Sequence, residues 1–164
     1  MTAIIGEKAH SATPNPGVQR EIRLLTIDVG GQAFGVPALR VRDVLGPQRI
    51  TRVPLAPVEV AGALNLRGRA LTAIDLRPCL GLPSRAREDR PMNVVVDLGG
   101  EHYALLVDRV GEVLVLSTAD FEPNPKTLDP RWRELSTGVC RLDGRLLVLL
   151  DIDRLLRLDH SEAA

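Results

Sequence analysis

One stretch of the sequence occurs twice and decides the fold. It reads Gly62-Ala-Leu-Asn-Leu-Arg-Gly-Arg-Ala-Leu-Thr-Ala-Ile-Asp-Leu76 in the first half of the chain, and it returns as Gly138-Val-Cys-Arg-Leu-Asp-Gly-Arg-Leu-Leu-Val-Leu-Leu-Asp-Ile152 in the second. Each copy contains a two-residue turn, an apolar strand and an aspartate that precedes a short helical turn. The aligned pairs include Gly68 with Gly144, Arg69 with Arg145 and Asp75 with Asp151. The repeat therefore predicts two similar β-rich halves.

A second pair of stretches repeats in the same order. Gly31–Leu45 aligns with Gly100–Leu114 without a gap, and each copy follows an apolar strand, Ile22–Val29 or Met92–Leu98. Gly-Gly pairs after such strands are typical of hairpin turns. Many short strands in halves of about 60 to 70 residues are best closed into barrels, because closure hides their edges. We predict an all-β protein of two small β-barrels packed together, with short helical turns and a short C-terminal helix.

Changes in composition divide the chain into segments. We predict a flexible N-terminal tail over residues 1–20, which lack the long apolar segment of a signal peptide. A charged run without hydrophobic periodicity predicts a linker over residues 84–91. The first barrel is then assigned to residues 21–83, the second to 92–158, and a C-terminal tail to 159–164. An exchange of strands between the two halves is left open.

Charge and composition exclude several classes of function. Lys and Arg together number 21, as do Asp and Glu, so the formal net charge is zero, which argues against binding to nucleic acid or to an anionic membrane surface. Aromatic residues make up only 2% of the chain, so no stacking platform for bases is predicted. The longest apolar run, Leu146–Leu150, is too short to span a bilayer. We expect a cytoplasmic protein in which Cys79 and Cys140 are reduced.

The sequence gives no positive sign of catalysis. The matching aspartates Asp75 and Asp151 suggest comparison with an aspartic protease, but neither is followed by the Thr/Ser-Gly that such a site requires. We interpret both as helix caps. The three histidines, His10, His102 and His160, have no second ligand or nucleophile at a useful spacing. We therefore predict no enzymatic activity, no cofactor and no metal site.

The second copy changes two polar residues at its turn. Arg67 aligns with Asp143, which has the opposite charge, and Asn65 aligns with Arg141. Residues needed only for folding should tend to be matched, so the mismatch marks Arg67 either as an ordinary solvated turn residue or as an interface anchor on a rigid hairpin. The only tryptophan, Trp132, is interpreted as a packing plug.

The sequence resembles the CheW family of bacterial chemotaxis coupling proteins. The resemblance covers residues 20 to 158 and rests on motifs that occur in the family's order and spacing. These motifs are Phe34-Gly-Val-Pro, Val41-Arg-Asp-Val, Ile50-Thr-Arg-Val-Pro-Leu-Ala-Pro57, Asn65-Leu-Arg-Gly68, Ile74-Asp-Leu-Arg77, Leu105-Leu-Val-Asp-Arg-Val110 and Leu147-Val-Leu-Leu-Asp151.

The resemblance implies two SH3-like barrels with a groove between them and the function of a non-catalytic adaptor. Its implied partners are the regulatory domain of a CheA-type histidine kinase and the cytoplasmic helical tips of chemoreceptors, so the protein would be recruited to membrane receptor arrays. The implied receptor-binding residues are Val41, Asp43, Asn65 and Arg67, and no kinase-binding residue is assigned. Asp43 replaces the family's longer glutamate. An adaptor in a divergent, non-motility signalling pathway is the alternative.

Overall fold

The strands lie in two antiparallel-rich sheets. A computed structural model describes residues 20–86 and 88–163 of the chain, and of residues 158–163 it describes the backbone only. All but the last residue of the predicted N-terminal tail therefore lies outside the described residues. The six-stranded sheet has the order β8-β1-β2-β11-β10-β9, and the five-stranded sheet has the order β3-β6-β7-β5-β4.

The bounds of the strands follow the predicted hairpins. The six-stranded sheet contains β1 (Glu21–Val29), β2 (Gln32–Pro37), β8 (Arg109–Ser117), β9 (Phe121–Glu122), β10 (Ser136–Leu142) and β11 (Arg145–Leu150). The five-stranded sheet contains β3 (Val41–Leu45), β4 (Val60–Leu66), β5 (Arg69–Asp75), β6 (Met92–Leu98) and β7 (Glu101–Val107). The prediction of an all-β protein with two small SH3-like barrels is confirmed.

Each half of the chain contributes to both sheets. The first hairpin, β1-β2, joins β8, β10 and β11 from the second half, while the hairpin β6-β7 joins β3, β4 and β5 from the first. Each sheet has two such joins: β2 pairs with β11 and β7 with β5 in parallel, while β1 pairs with β8 and β3 with β6 in antiparallel. The sheets therefore do not divide at the predicted segments 21–83 and 92–158, and strands are exchanged between the halves. Such pairing is non-local, so no hairpin signal in the sequence marks it.

Central strands such as β6, β7 and β11 are buried on both faces, because the two barrels share a large common core. In β11, Leu147 and Leu149 point into the six-stranded barrel, while Val148 and Leu150 point into the shared core. In β1, Leu24 points into the six-stranded barrel and Leu25 points into the shared core. This arrangement explains the continuous apolar runs, since a strand with one solvent face would alternate apolar and polar residues.

Among the described residues, three α-helices lie next to strand ends: α1 (Leu76–Cys79), α2 (Pro130–Glu134) and α3 (Ile152–Ala163). Two single 3-10 turns among these residues, Ala38–Arg40 and Thr118–Asp120, connect strands. The predicted caps are confirmed: a side-chain oxygen of Asp75 accepts the backbone N–H of Arg77 at 3.1 Å, and one of Asp151 accepts that of Arg154 at 3.1 Å. Helix α3 continues through residues 159–163, which were predicted as a tail. None of the helices described for this chain is long and apolar enough to cross a membrane.

Two glycines let a neighbouring strand approach each barrel closely. Gly62 and Gly138, at φ 148° and 156°, lie at matching bulges in β4 and β10. A Cβ on Gly62 would lie 2.2 Å from the carbonyl oxygen of Thr51, whose backbone forms a bridge with Ala63. A Cβ on Gly138 would lie 2.7 Å from the carbonyl oxygen of Glu122. Glycine is therefore required at both positions for the extra strand to pair.

Trp132 is a packing plug, as predicted. Its ring lies edge-on to Phe34, with the ring centroids 5.3 Å apart, and its indole N–H donates to the carbonyl oxygen of Leu80 at 2.8 Å. The tryptophan thus ties α2 to the shared core and satisfies its polar atom at the same time.

Candidate functional site

The turn between β4 and β5 is held in one conformation by its own residues. Arg67 and Gly68 have φ values of 52° and 83°, as a two-residue turn with two left-handed positions requires. The side-chain oxygen of Asn65 accepts the backbone N–H of Gly68 at 3.0 Å. Asn65 therefore fixes the turn, and Arg67 projects from a rigid tip with 76% of its side chain exposed.

The structure brings Asp43 and Arg67 together across the barrel. Asp43 lies in β3 and Arg67 follows β4, and these strands are opposite edges of the five-stranded sheet. The sheet curls until the Nη2 of Arg67 lies 3.4 Å from a carboxylate oxygen of Asp43. An exposed pair of this length contributes at most about 1 kcal/mol, so the guanidinium is available to exchange this contact for another.

Val41 lies apart from this pair. It is half-buried, pairs with Val96 of β6 and packs against the shared core. A bulge between Val41 and Asp43 shifts the register of β3, so that Arg42 and Val44 are the exposed residues of the strand. The sequence pattern of alternating apolar and charged residues did not predict the exposed Val44, because it contains no signal for the bulge.

Two arginines, Arg40 just before β3 and Arg42 within it, hold the strand to the rest of the molecule. Arg42 donates from Nε to a carboxylate oxygen of Asp97 at 3.1 Å, and this hydrogen bond lowers the pKa of Asp97. Arg40 donates to the backbone carbonyl of Asp97 and to the carboxylate of Asp153 in α3, each at 2.8 Å. The strand that carries Asp43 is therefore fixed to β6 and to the C-terminal helix.

The segment of sequence between Asp43 and Arg67 exposes several apolar side chains. The proline-rich loop after β3 exposes Val53, Leu55 and Val58, and Leu55 is fully exposed with a φ of 64°. A left-handed conformation is unfavourable for a residue such as leucine, so the surrounding loop must impose it. The sequence predicted the loop from its prolines but did not predict the exposure of these side chains.

A largely buried group of ion pairs connects the predicted linker to the ends of β5 and β7. Arg77 donates two hydrogen bonds to Asp108, at 2.7 and 3.1 Å, and the Arg85 side chain contacts both Asp108 and Asp75. Burial alone would raise the pKa of Asp108, but the hydrogen bonds from Arg77, the Gly30 N–H and Arg85 outweigh it and lower the pKa to about 2. Arg85 was predicted to lie in a linker, yet only 10% of its side chain is exposed. The charged composition of residues 84–91 did not indicate this burial.

Within the residues that the structure describes, no three His, Cys, Asp or Glu side chains are grouped as a metal site would require. Cys79 and Cys140 are both buried thiols, and burial raises the pKa of Cys140. A raised pKa keeps the thiol protonated and unreactive. What the arrangement offers is a rigid, charged and partly apolar surface for recognition.

Comparison with known proteins identifies the family of this architecture. The sequence model of one protein family, the CheW-like domain, matches residues 23–160 of this chain. The chain is 32% identical over 141 residues to the chemotaxis protein CheW of Rhizobium meliloti, covering 86% of this chain and 91% of the relative. It is 30% identical over 132 residues to the chemotaxis protein CheW of Klebsiella aerogenes, covering 80% of each.

A solved structure has the same fold. The scaffolding protein TtCheW from Thermoanaerobacter tengcongensis superposes with a TM-score of 0.72 at 24% sequence identity, covering 80% of this chain and 90% of the other. At this identity the likeness concerns the fold alone.

Proposed function

The chain belongs to the CheW family and is a non-catalytic chemotaxis adaptor, and from that premise we propose that it couples the cytoplasmic tips of chemoreceptors to the regulatory domain of a CheA-type histidine kinase. The receptor contact lies at the Asp43–Arg67 pair. The protein acts in the cytoplasm and joins membrane receptor arrays through these contacts.

The observation that supports this proposal is the exposed arginine on a rigid turn. Arginine is frequent among the residues that dominate binding energy, since its planar guanidinium forms several hydrogen bonds at once. Asn65 holds the turn, so little conformational entropy is lost when Arg67 binds a partner. Asp43 orients the guanidinium without burying it.

The four predicted residues have different parts in this proposal. Arg67 and Asp43 contact the receptor, Asn65 positions Arg67, and Val41 fixes β3 against the shared core. Each single contact of this kind is modest, and an adaptor in an array gains strength from many simultaneous contacts.

A charge reversal with a matched control tests the proposal. Arg67→Glu should reduce recovery of the chemoreceptor from an extract of the source cell at least about tenfold, with partners identified by mass, because a repulsive charge replaces the anchor. Asp143→Arg reverses the charge at the equivalent turn of the other barrel, where φ is 48°, and should leave receptor recovery unchanged.

The kinase provides an internal reference in the same experiment. Recovery of the histidine kinase should be unaffected by Arg67→Glu, because the kinase contacts another surface. Equal receptor recovery with wild type and Arg67→Glu would show that the receptor contact lies elsewhere. Recovery of neither partner with the wild-type protein would remove the coupling function itself.

A further inference from the structure

A polar cavity of about 260 Å³ lies where the connection between α1 and β6 passes the end of β7. It is distinct from the Asp43–Arg67 pair, with which it shares no residue. Its charged lining residues are Arg77, Arg85, Asp89, Arg90, Asp108 and Arg109. Four guanidinium groups therefore face two carboxylates.

Two of these arginines are neutralised by the fold. Arg77 is bound to Asp108 at 2.7 Å, and Arg85 is bound to Asp75 at 2.8 Å and to Asp108. These contacts balance most of the charge at the base of the cavity. They also fix the two side chains, which gives the cavity a rigid floor.

The remaining two arginines are not neutralised. Arg90 and Arg109 are exposed, and neither side chain has an ion pair or hydrogen-bond partner among residues 20–86 and 88–163. The one further carboxylate in the lining, Asp89, accepts the backbone N–H of Ala86 at 3.2 Å. Asp28 lies opposite Arg109 in the pairing of β1 with β8 but does not line the cavity. Among the residues that line the mouth, one carboxylate therefore opposes two guanidinium groups, and the lining has an excess of positive charge.

One donor of the lining residue Arg85 is unsatisfied. The Arg85 side chain is about nine-tenths buried, and its Nε has no hydrogen-bond partner. A buried guanidinium N–H without an acceptor destabilises the structure, because it has lost its water without gaining a replacement. This atom is closed off from solvent, so the contacts of an entering ligand fall on the exposed Arg90 and Arg109.

We propose that this cavity binds a phosphoryl oxyanion, either free inorganic phosphate or the phosphate group of a small metabolite. Arg90 and Arg109 contact the oxyanion from the mouth, above the ion pairs that Arg77 and Arg85 form with Asp108 at the floor. Guanidinium groups match phosphate oxygens in pairs of parallel hydrogen bonds. The cavity is large enough to admit one phosphoryl group.

Occupation of the cavity would tie the connection 80–91 to the end of β7. That connection joins the last strand of the first half to the first strand of the second half. A bound oxyanion would therefore stabilise the native protein in proportion to its concentration. The inference does not depend on the adaptor function, and the two can fail separately.

The test is titration of the purified full-length protein with inorganic phosphate at constant ionic strength, with sodium chloride as the balancing salt. Calorimetry should give saturable binding to one site, and the thermal midpoint should rise with phosphate. The double variant Arg90→Gln/Arg109→Gln should weaken phosphate binding at least about tenfold, since two charge-assisted contacts are lost.

Two further variants separate binding from a general effect of charge. Arg133→Gln removes an exposed arginine in α2 that has no ion pair among the described residues, and it should leave phosphate binding unchanged. Asp89→Asn removes the opposing carboxylate and should tighten binding by about threefold, which a loss of folding could not imitate.

Glycerol 3-phosphate distinguishes the sources of the phosphoryl group. Tighter binding than inorganic phosphate supports the site and assigns it to a phosphorylated metabolite, while equal or weaker binding supports the site and assigns it to free phosphate. An equal response of wild type and the double variant to phosphate, or no tightening by Asp89→Asn, would overturn the proposal.

Discussion

The two hairpin turns at Arg67 and Asp143 have the same backbone and different surfaces. Both residues adopt left-handed conformations, at φ 52° and 48°, and each precedes a glycine of positive φ. Arg67 extends to Asp43 on an edge strand, whereas Asp143 lies beside an apolar cavity of about 470 Å³ in the other barrel. The duplicated fold thus retains what the backbone requires and leaves the exposed side chains free to acquire separate functions.

The largest predicted effect concerns the glycines that the two halves share. Gly62→Ala should lower the free energy of unfolding by about 4 kcal/mol, because the new Cβ would overlap the Thr51 carbonyl oxygen and the backbone would be strained. Gly138→Ala should have a smaller effect, since its Cβ would lie 2.7 Å from Glu122 rather than 2.2 Å from Thr51. Urea denaturation measures both.

Gly46→Ala is the control for these two variants. A Cβ at Gly46 meets nothing within 4 Å, so stability should be nearly unchanged. Equal losses at Gly46 and Gly62 would show that close approach of the chain is not the reason for glycine at the bulge.

The second effect concerns a feature that only one half has. Asp108→Asn should lower the free energy of unfolding by about 3 kcal/mol, because Arg77 and Arg85 would keep buried charges without their shared carboxylate. Its aligned counterpart in the first half is Leu39, which is exposed. Leu39→Ala should therefore change stability by only a few tenths of a kcal/mol. Comparable losses for the two variants would contradict this account of the ion pairs.

The same carboxylate predicts the dependence of stability on pH. The pKa of Asp108 is lowered from its ordinary value of 3.8 to about 2 in the folded protein, so the native state holds the charged form. Its stabilisation is complete above about pH 4 and is lost as the pH falls towards 2. Denaturant titrations between pH 5 and 2 should show a shallower loss in Asp108→Asn than in wild type.

The smallest effect distinguishes the residues that flank the two turns. Asn65→Ala should cost about 1 kcal/mol, because it removes the acceptor for the Gly68 N–H. Arg141 aligns with Asn65 and makes only an exposed contact with Glu122 at 3.4 Å, so Arg141→Ala should cost less than about 0.5 kcal/mol. Thermal unfolding of both variants checks the difference, and a larger loss in Arg141→Ala would reverse the assignment.

Local features of the fold were predicted from the sequence, while features that join distant segments were not. The hairpin turns and the helix caps at Asp75 and Asp151 depend on neighbouring residues, so the chain displays their signals directly. The exchange of β1-β2 for β6-β7 depends on pairing between strands that are distant in the sequence. Apolar runs such as Leu146–Leu150 indicated burial on both faces but did not identify the partners.

The candidate site was likewise predicted in part from the sequence. The mismatch between Arg67 and Asp143 marked the turn, and the structure adds that Asp43 lies beside it. The exposure of Leu55 and the burial of Arg85 could not be predicted, because hydrophobicity predicts burial for the first and exposure for the second. Both depend on the path of a loop rather than on its composition.

Reversal of the Asp43–Arg67 pair tests the central claim most directly. The receptor and kinase recovered with Arg67→Asp are compared with those recovered with Asp43→Arg/Arg67→Asp, which restores the ion pair with its charges exchanged. The account predicts that receptor recovery stays low in both variants while kinase recovery is normal, because Arg67 contacts the receptor itself. Restored receptor binding in the double variant would show that the pair has only a structural role.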